Sequence, residues 1–410
     1  MDDADRRASA GPRRSLVLLA LGVGAPLWLL AAQRLWHTTV PSGLQLSGRD
    51  PRAYFDAAFL SRSASYERFL ALDALLAAVV LLVVLAVYAR HGARLMRESA
   101  AGPIGTGMML GMLGLGIVWI AEVPFGVAAV WWERRHGVSH QGYLAALVQS
   151  FLQLGGTFLA ISFALLVAMF LARLVRGWWW LAAAPFFVAL ALLTAWLSPY
   201  LVPDTHPLRQ QATLADARAL GQVEGVPNTR VDVQRVARFT TAPNAEAVGF
   251  DATRRVIVWD TLLDGRFDRR EIRTVLAHEL AHLAHRHTLK AVGWLALFLL
   301  PVTGLIAVVT RRRGGLARPE AVPLALLVLV GMSVLAQPLQ NVVSRRLEAE
   351  ADWAALQATH DPVTARSLFR DLATTSLSDP NPPAWLYVLD ENHPTLMQRI
   401  AMAEAWQARQ

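Results

Sequence analysis

The chain has 410 residues, with 39 Lys+Arg against 31 Asp+Glu, for a formal net charge of +8. Only 17% of residues are charged, against roughly 25% in soluble domains, and 54% are hydrophobic, which excludes a disordered chain and argues against an ordinary soluble enzyme. Cysteine is absent, so disulfide scaffolds, thiolate zinc sites, iron–sulfur clusters and cysteine nucleophiles are excluded together, and any metal must sit on His and carboxylate. The basic residues, of which only Lys290 is a lysine, are scattered between apolar runs with no DNA or RNA module around them. The expected partner is therefore a lipid bilayer and no nucleic acid.

A helix that crosses a hydrocarbon core of roughly 30 Å needs about 20 mainly apolar residues. Seven segments reach or approach this: Ser15 to Ala32, Phe69 to Ala89, Ile104 to Trp132, Tyr143 to Ala172, Trp178 to Leu197, Val292 to Val309, and the shorter Val322 to Ala336. Arginines precede the first as in a secretory signal, but its apolar run exceeds the roughly 7 to 15 residues of such a signal and lacks a cleavage site, so it reads as a retained anchor. Gly107, Gly111, Gly114 and Gly116 form a small-residue face suited to close helix packing. Glu122 lies inside a span, before Pro124, where a carboxylate is a functional candidate unless Gln149 or Gln153 of the next span satisfies it. Trp178, Trp179 and Trp180 read as an interfacial anchor.

With seven spans, Arg6, Arg7, Arg13, Arg14 and the loops Arg90 to Arg97, Arg173 to Arg176 and Arg311 to Arg318 share one side. The positive-inside rule assigns that side to the cytoplasm, leaving the large loop Ser198 to Ala291 and the C-terminal tail outside. The division that results is a membrane region at 1–198, a soluble catalytic part at 199–290, a hairpin of two spans at 291–337 and a C-terminal catalytic part at 338–410.

Within 199–290 the composition becomes that of a soluble domain. Thr213 to Glu224 reads as a helix stopped by Gly225 and Pro227, and Val231 to Phe239 alternates like a strand. Val248 to Phe250 and Arg255 to Trp259 read as a hairpin. Asp268 with Glu271 three residues on announces a helix. It carries His278, Glu279 and His282; two imidazoles four apart share a face and can grip one zinc ion, with Glu279 beside them to take a proton from zinc-bound water. The bland alternative is a solvated polar face.

Catalytic zinc takes three protein ligands and one open position. The extended motif with a third His is excluded, because Thr288 stands where that His would be. A glutamate on a second helix is the other common solution, and Glu348 qualifies: it shares a face with Asp352, whereas Glu350 points elsewhere. Asp352 is placed to receive the N–H of a zinc histidine. The zinc helix is expected to run on through Lys290 into the sixth span, and the seventh returns before Glu348, so one hairpin brings both halves of the site to the same face.

These residues resemble a known family: the integral-membrane zinc metallopeptidases that include the type I CAAX prenyl endopeptidases and the bacterial heat-shock protease HtpX. The matching pieces are Asn244-Ala245 with Gly249, Arg255 to Leu263, Val275 to His282 and on to His287-Thr288-Leu289-Lys290, Ser344-Arg345 with Glu348, Ala351 and Asp352, and His393-Pro394 with Arg399-Ile400. The resemblance implies His278, His282 and Glu348 as ligands of one Zn2+ per chain and Glu279 as general base and acid. It implies that Asn244 and Ala245 lie on an edge strand pairing with substrate backbone, that His393 stabilises the oxyanion, and that Arg399 is a structural anchor. His285 and His287 are expected off the ligand face. Glu246 replaces the aromatic usual after Asn-Ala, and Ala349 the aromatic usual after the ligand Glu; both bear on substrate preference.

The expected fold is an all-α polytopic membrane protein of about seven transmembrane helices, with a zincin-like metalloprotease part containing a small β-hairpin or sheet. The expected function is a zinc metalloendopeptidase of membrane-associated or lipidated peptide and protein substrates, in a bacterial cytoplasmic membrane. Quality control of membrane proteins, as in HtpX, and an inactive scaffold or transporter are the alternatives. The family places its site in the cytoplasm, opposite to the charge count.

Overall fold

The computed structural model describes residues 24–46, 48–95 and 101–410. The first predicted span begins outside these residues, as do the arginines before it, and residues 24–35 are helical. Helix α1 (Ala57–His91) starts where the Asp56 side chain accepts from the Phe59 N–H at 2.8 Å. Helices α2 (Gly102–Arg135), α3 (Tyr143–Leu174) and α4 (Trp179–Leu201) follow, each longer than a bilayer core requires. Leu75, Leu76 and Val79 of α1 and Leu144, Leu152 and Leu159 of α3 point outward and are exposed. A bundle with such a surface is stable in lipid and not in water. Glycines of α2 meet bulky neighbours: a Cβ at Gly107 would strike Met169, at Gly111 Leu165, and at Gly114 Tyr88.

After α4 the chain enters its C-terminal half, which holds the sheet. Strand β1 (Thr205–Pro207) leads to helix α5 (Gln211–Val223), then strands β2 (Arg230–Gln234), β3 (Ala245–Val248) and β4 (Arg255–Trp259). The sheet order is β1-β2-β4-β3, with β2 parallel to β4 and both outer strands antiparallel to their neighbours. The expected hairpin is therefore β3–β4, paired Ala245 to Val258, in a sheet of four strands. Its first strand ends earlier than expected, at Val248. Gly249 then turns at φ +74 where a Cβ would collide with Pro199 and Thr253, a position only glycine tolerates. The alternation Val231 to Phe239 gives a strand only to Gln234. The Val236 and Ala237 N–H groups bind Asp260 Oδ1 at 2.9 and 3.0 Å instead of continuing the ladder.

Helix α6 (Arg269–Ala284) carries the His-Glu motif, and α7 (His287–Thr310) descends from it. The two are not one helix as expected. Arg286 adopts left-handed backbone (φ 55), so the chain turns between them and His287 swings back toward α6. Helix α8 (Val322–Thr359) runs for 38 residues through Pro338, so the short seventh apolar run extends without a break into the helix of Glu348. Helices α9 (Pro362–Ser376), α10 (Ala384–Leu389) and α11 (Leu396–Gln407) close the site. One core joins the sheet, α5, α6 and the end of α8, through Val256, Leu276 and Leu280. A second joins the start of α1 to α8, α9 and α11, through Phe59, Trp353, Phe369 and Ile400. A third, of Leu110, Met169, Trp179 and Val322, lies at the opposite end of the bundle.

Candidate metal centre

The start of α6 is fixed by a reciprocal cap. Asp268 Oδ1 accepts from Arg270 N (2.7 Å) and Glu271 N (2.8 Å), while Glu271 Oε2 accepts from Asp268 N (2.9 Å). Leu276, Ala277, Leu280 and Ala281 are fully buried, which leaves His278 and His282 one turn apart on the adjoining face. Ala281, Ala351 and Ala354 pack together between α6 and α8. With only methyl groups at that crossing, the helices approach closely enough for Glu348 to reach both imidazoles.

His278 Nε2 and His282 Nε2 stand 3.0 Å apart, and Glu348 Oε2 and Oε1 lie 3.2 and 3.5 Å from them respectively. The ligand-type atoms of the three residues lie within 4.8 Å of one another. A tetrahedron around zinc, with bonds of about 2.0 to 2.1 Å, has edges of about 3.3 Å. Glu348 Oε2 is buried and accepts no hydrogen bond among the described residues. An orphaned carboxylate oxygen facing two ring nitrogens at these separations fits a cation held between them, and two His with one Glu are zinc donors.

Behind His278, Nδ1 lies 3.0 Å from Asp352 Oδ1, and Asp352 receives two hydrogen bonds from Arg399, at 2.8 and 2.6 Å. The Arg399 guanidinium lies 4.4 Å from the Phe369 ring centre. Burial alone would push the His278 imidazole down, but the Asp352 and Glu348 carboxylates beside it outweigh that and raise it to about 10. A metal must displace that proton, so binding is proton-linked.

A narrow cleft of about 110 Å³ opens beside the cluster, bordered by Asn244, Ala245, His278, Glu279, His393 and Arg399. Glu279 is 7% exposed. Strand β3 pairs with β4 on one side only, and Trp259 N donates to the Asn244 carbonyl at 2.9 Å, so the other edge of β3 borders this cleft unpaired. Burial, and then the Glu279 carboxylate, raise the Glu246 carboxyl above its ordinary value. His393 arrives from the loop after α10. Arg345 of α8 donates to the carbonyls of Tyr387 and Glu391, holding that loop, and His393 Nε2 faces Glu348 Oε2 at 3.4 Å. The His393 side chain remains half exposed, with desolvation, partly offset by Glu348, keeping its pKa below the ordinary value.

A family model, Peptidase family M48, matches residues 207–407, which contain all of these groups. Residues 207–407 of this chain thus resemble the M48 peptidases. The chain is similar to the Bacillus subtilis protein called uncharacterized metalloprotease YhfN, at 29% identity over 56% of this chain and 57% of that protein. A Protease HtpX homolog of Acidiphilium cryptum is 29% identical over 58% of this chain and 92% of its own length. A CAAX prenyl protease 1 homolog of Oryza sativa is 24% identical over 53% and 54%. The match thus spans less than two thirds of the length of the first of these relatives. The crystal structure of S. mikatae Ste24p has the same fold, with a TM-score of 0.70 over 94% of this chain and 96% of that one, at 17% identity. Six helices among the described residues are long and apolar enough to cross a membrane, and the chain is a multi-pass membrane protein.

The structure adds two groups behind this site. His287, expected off the ligand face, lies outside the His278–His282–Glu348 group but stands with Nδ1 2.9 Å from His282 Nδ1, and Glu350, which points away from Glu348, faces His287 Nε2 at 3.1 Å. Helical spacing misses both because the chain reverses at Arg286; the available signal was the isolated lysine next to an additional His. Glu122 also differs. Among the described residues Gln149 accepts from Gln141 (2.7 Å) and neither Gln149 nor Gln153 donates to Glu122, and Glu122, Asp73, Gln149 and Gln153 line a cavity of about 650 Å³ between α1, α2 and α3.

Proposed function

We propose that this chain is a membrane-embedded zinc metalloendopeptidase that hydrolyses peptide bonds of membrane-associated or lipidated substrates. The observation that carries the reading is the His278–His282–Glu348 cluster, whose donors lie within 4.8 Å of one another beside Glu279 and a free strand edge. One zinc ion held there would act as a Lewis acid and make water acidic enough to deprotonate near neutral pH. Glu279 takes the proton of the attacking water and returns it to the departing amine. The backbone of Asn244 and Ala245 pairs with an extended substrate, setting the scissile bond across the mouth of the cleft. His393 faces the charge that develops on the carbonyl oxygen. Asp352 holds His278 in the tautomer that presents Nε2, and Arg399 holds Asp352.

The site lies at the bilayer-facing end of a helical hairpin, which favours substrates presented by the membrane; we place it on the cytoplasmic side of a bacterial membrane. A second reading, membrane-protein quality control, is favoured by the likeness to HtpX homologs, one of them over nearly its whole length. The deciding experiment compares wild type with Glu279→Gln on two substrates, a prenylated reporter with a tetrapeptide tail and an unfolded membrane protein. Cleavage of the first by wild type alone supports the lipidated class. Cleavage of only the second supports quality control. Equal cleavage by Glu279→Gln refutes its role, and wild type purified without stoichiometric zinc refutes the enzyme.

A further inference from the structure

His278 and His282 are both backed by a chain of polar groups, but the two chains differ. Behind His282 stands His287, whose ring lies nearly perpendicular to it with centroids 4.8 Å apart. The turn at Arg286 brings it there. His287 Nε2 is 3.1 Å from Glu350 Oε2, and the same oxygen accepts from Lys290 Nζ at 2.6 Å. Glu350 Oε1 accepts from the backbone N–H of Thr39 at 2.8 Å. Glu350 is 1% exposed and His287 4%, so the carboxylate and the imidazole at the centre of this chain are both shielded from water.

The proton assignment follows from the chemistry of each group. An ionised carboxylate only accepts, so His287 Nε2 carries a proton and donates it to Glu350. Neutral imidazole then has a bare Nδ1, which accepts from His282 Nδ1–H. His282 is left with a bare Nε2, the atom that faces His278 Nε2 and Glu348 Oε1. A carboxylate orienting a ligand histidine through a second imidazole needs its own charge balanced, and Lys290, the only lysine in the chain, supplies this. The neighbouring strand of chain is tied to the same helix, since Arg346 Nε donates to the Trp36 carbonyl at 2.6 Å and its guanidinium covers the Trp36 ring.

We propose that His287 and Glu350 are positioning residues for His282, the counterpart of Asp352 and Arg399 behind His278, with Thr39 and Lys290 fixing Glu350. The inference rests on the zinc-site reading above. Its consequence is that His287 acts on the metal only through His282.

The test measures zinc affinity of the full-length protein in detergent by competition with a chromogenic chelator. His287→Ala is expected to weaken zinc binding about 10- to 100-fold in the wild-type background. In the His282→Ala background, the same substitution is expected to cost nothing further. Glu350→Gln, which keeps the shape but loses the charge, is expected to weaken binding in the same direction, and it serves if His287→Ala does not fold. Equal losses in both backgrounds would reduce His287 to a packing residue and overturn the proposal, as would unchanged affinity in His287→Ala and Glu350→Gln. Wild type that binds no zinc overturns both this inference and the function; zinc-binding wild type with indifferent variants overturns this inference alone.

Discussion

At the scale of single residues, charge in a dry place is only stable where something answers it. Asp352 and Arg399 answer each other, and two helices are held in register at His278 by that pair. Glu224, at the end of α5, has no such answer among the described residues: its Oε1 is buried without a partner there, and burial raises its carboxyl to about 7. In an unfolded chain it titrates near 4.3. Between those values the folded state holds the proton and the unfolded state has lost it, so stability falls as pH rises from about 4.5 to 7. The loss is at most about 4 kcal/mol, reduced where water reaches the second oxygen. Glu224→Gln is expected to flatten this part of the pH–stability curve, measured as unfolding temperature in detergent at pH 5, 6, 7 and 8. Parallel curves for the two proteins would show that Glu224 does not set the slope.

At the scale of elements, packing depends on where side chains are missing. Gly111 of α2 leaves room for Leu165 of α3, and Gly114 for Tyr88 of α1, whose hydroxyl donates to the Leu110 carbonyl at 2.6 Å. The small-residue stripe was readable in the sequence as a packing face; which helices it meets was not, since periodicity describes only its own helix. Gly111→Leu is expected to overpack the α2–α3 contact and destabilise the bundle by about 1 to 3 kcal/mol. Gly126→Leu, at a position with nothing within 4 Å, serves as the control. Thermal unfolding in detergent checks this, and equal effects at the two positions would deny the close contact. The alanines between α6 and α8 follow the same logic at the metal centre, where the methyl-only crossing sets the reach of Glu348.

At the scale of the whole molecule, the six long helices carry the chain alternately between two ends. Arg313 donates to the Ala89 carbonyl at 2.7 Å, joining the 311–321 turn to the end of α1, while the bridge between Ser139 and Thr240 joins the α2–α3 turn to the C-terminal half. The basic turns therefore lie at the end away from the zinc cluster. Their arginines favour that end in the cytoplasm, whereas our proposal puts the site there. The cysteine-free chain makes the question direct. Single cysteines at exposed Arg209 and Arg312, in the half that carries the site and at the opposite end, are expected to react differently with a membrane-impermeant maleimide. Arg312→Cys should label in intact cells and Arg209→Cys only after permeabilisation; the reverse pattern would move the site to the outside.

What the sequence determined by itself was the part governed by local rules. Apolar length marked the spans, absence of Cys restricted metal chemistry to His and carboxylate, and four-residue spacing paired His278 with His282 and Glu348 with Asp352. The capping signal at Asp268 set the start of α6 for the same reason. Tertiary structure decided what those rules do not reach. Left-handed backbone at Arg286 reverses the chain and carries His287 to His282. Arg345 holds two carbonyls of a loop some forty residues away and so brings His393 to Glu348. Asp260 takes the N–H groups that would have extended β2. In each case one side chain or one backbone angle outweighs a pattern, because a buried polar group binds whichever partner the fold brings within reach, and no periodicity encodes that distance.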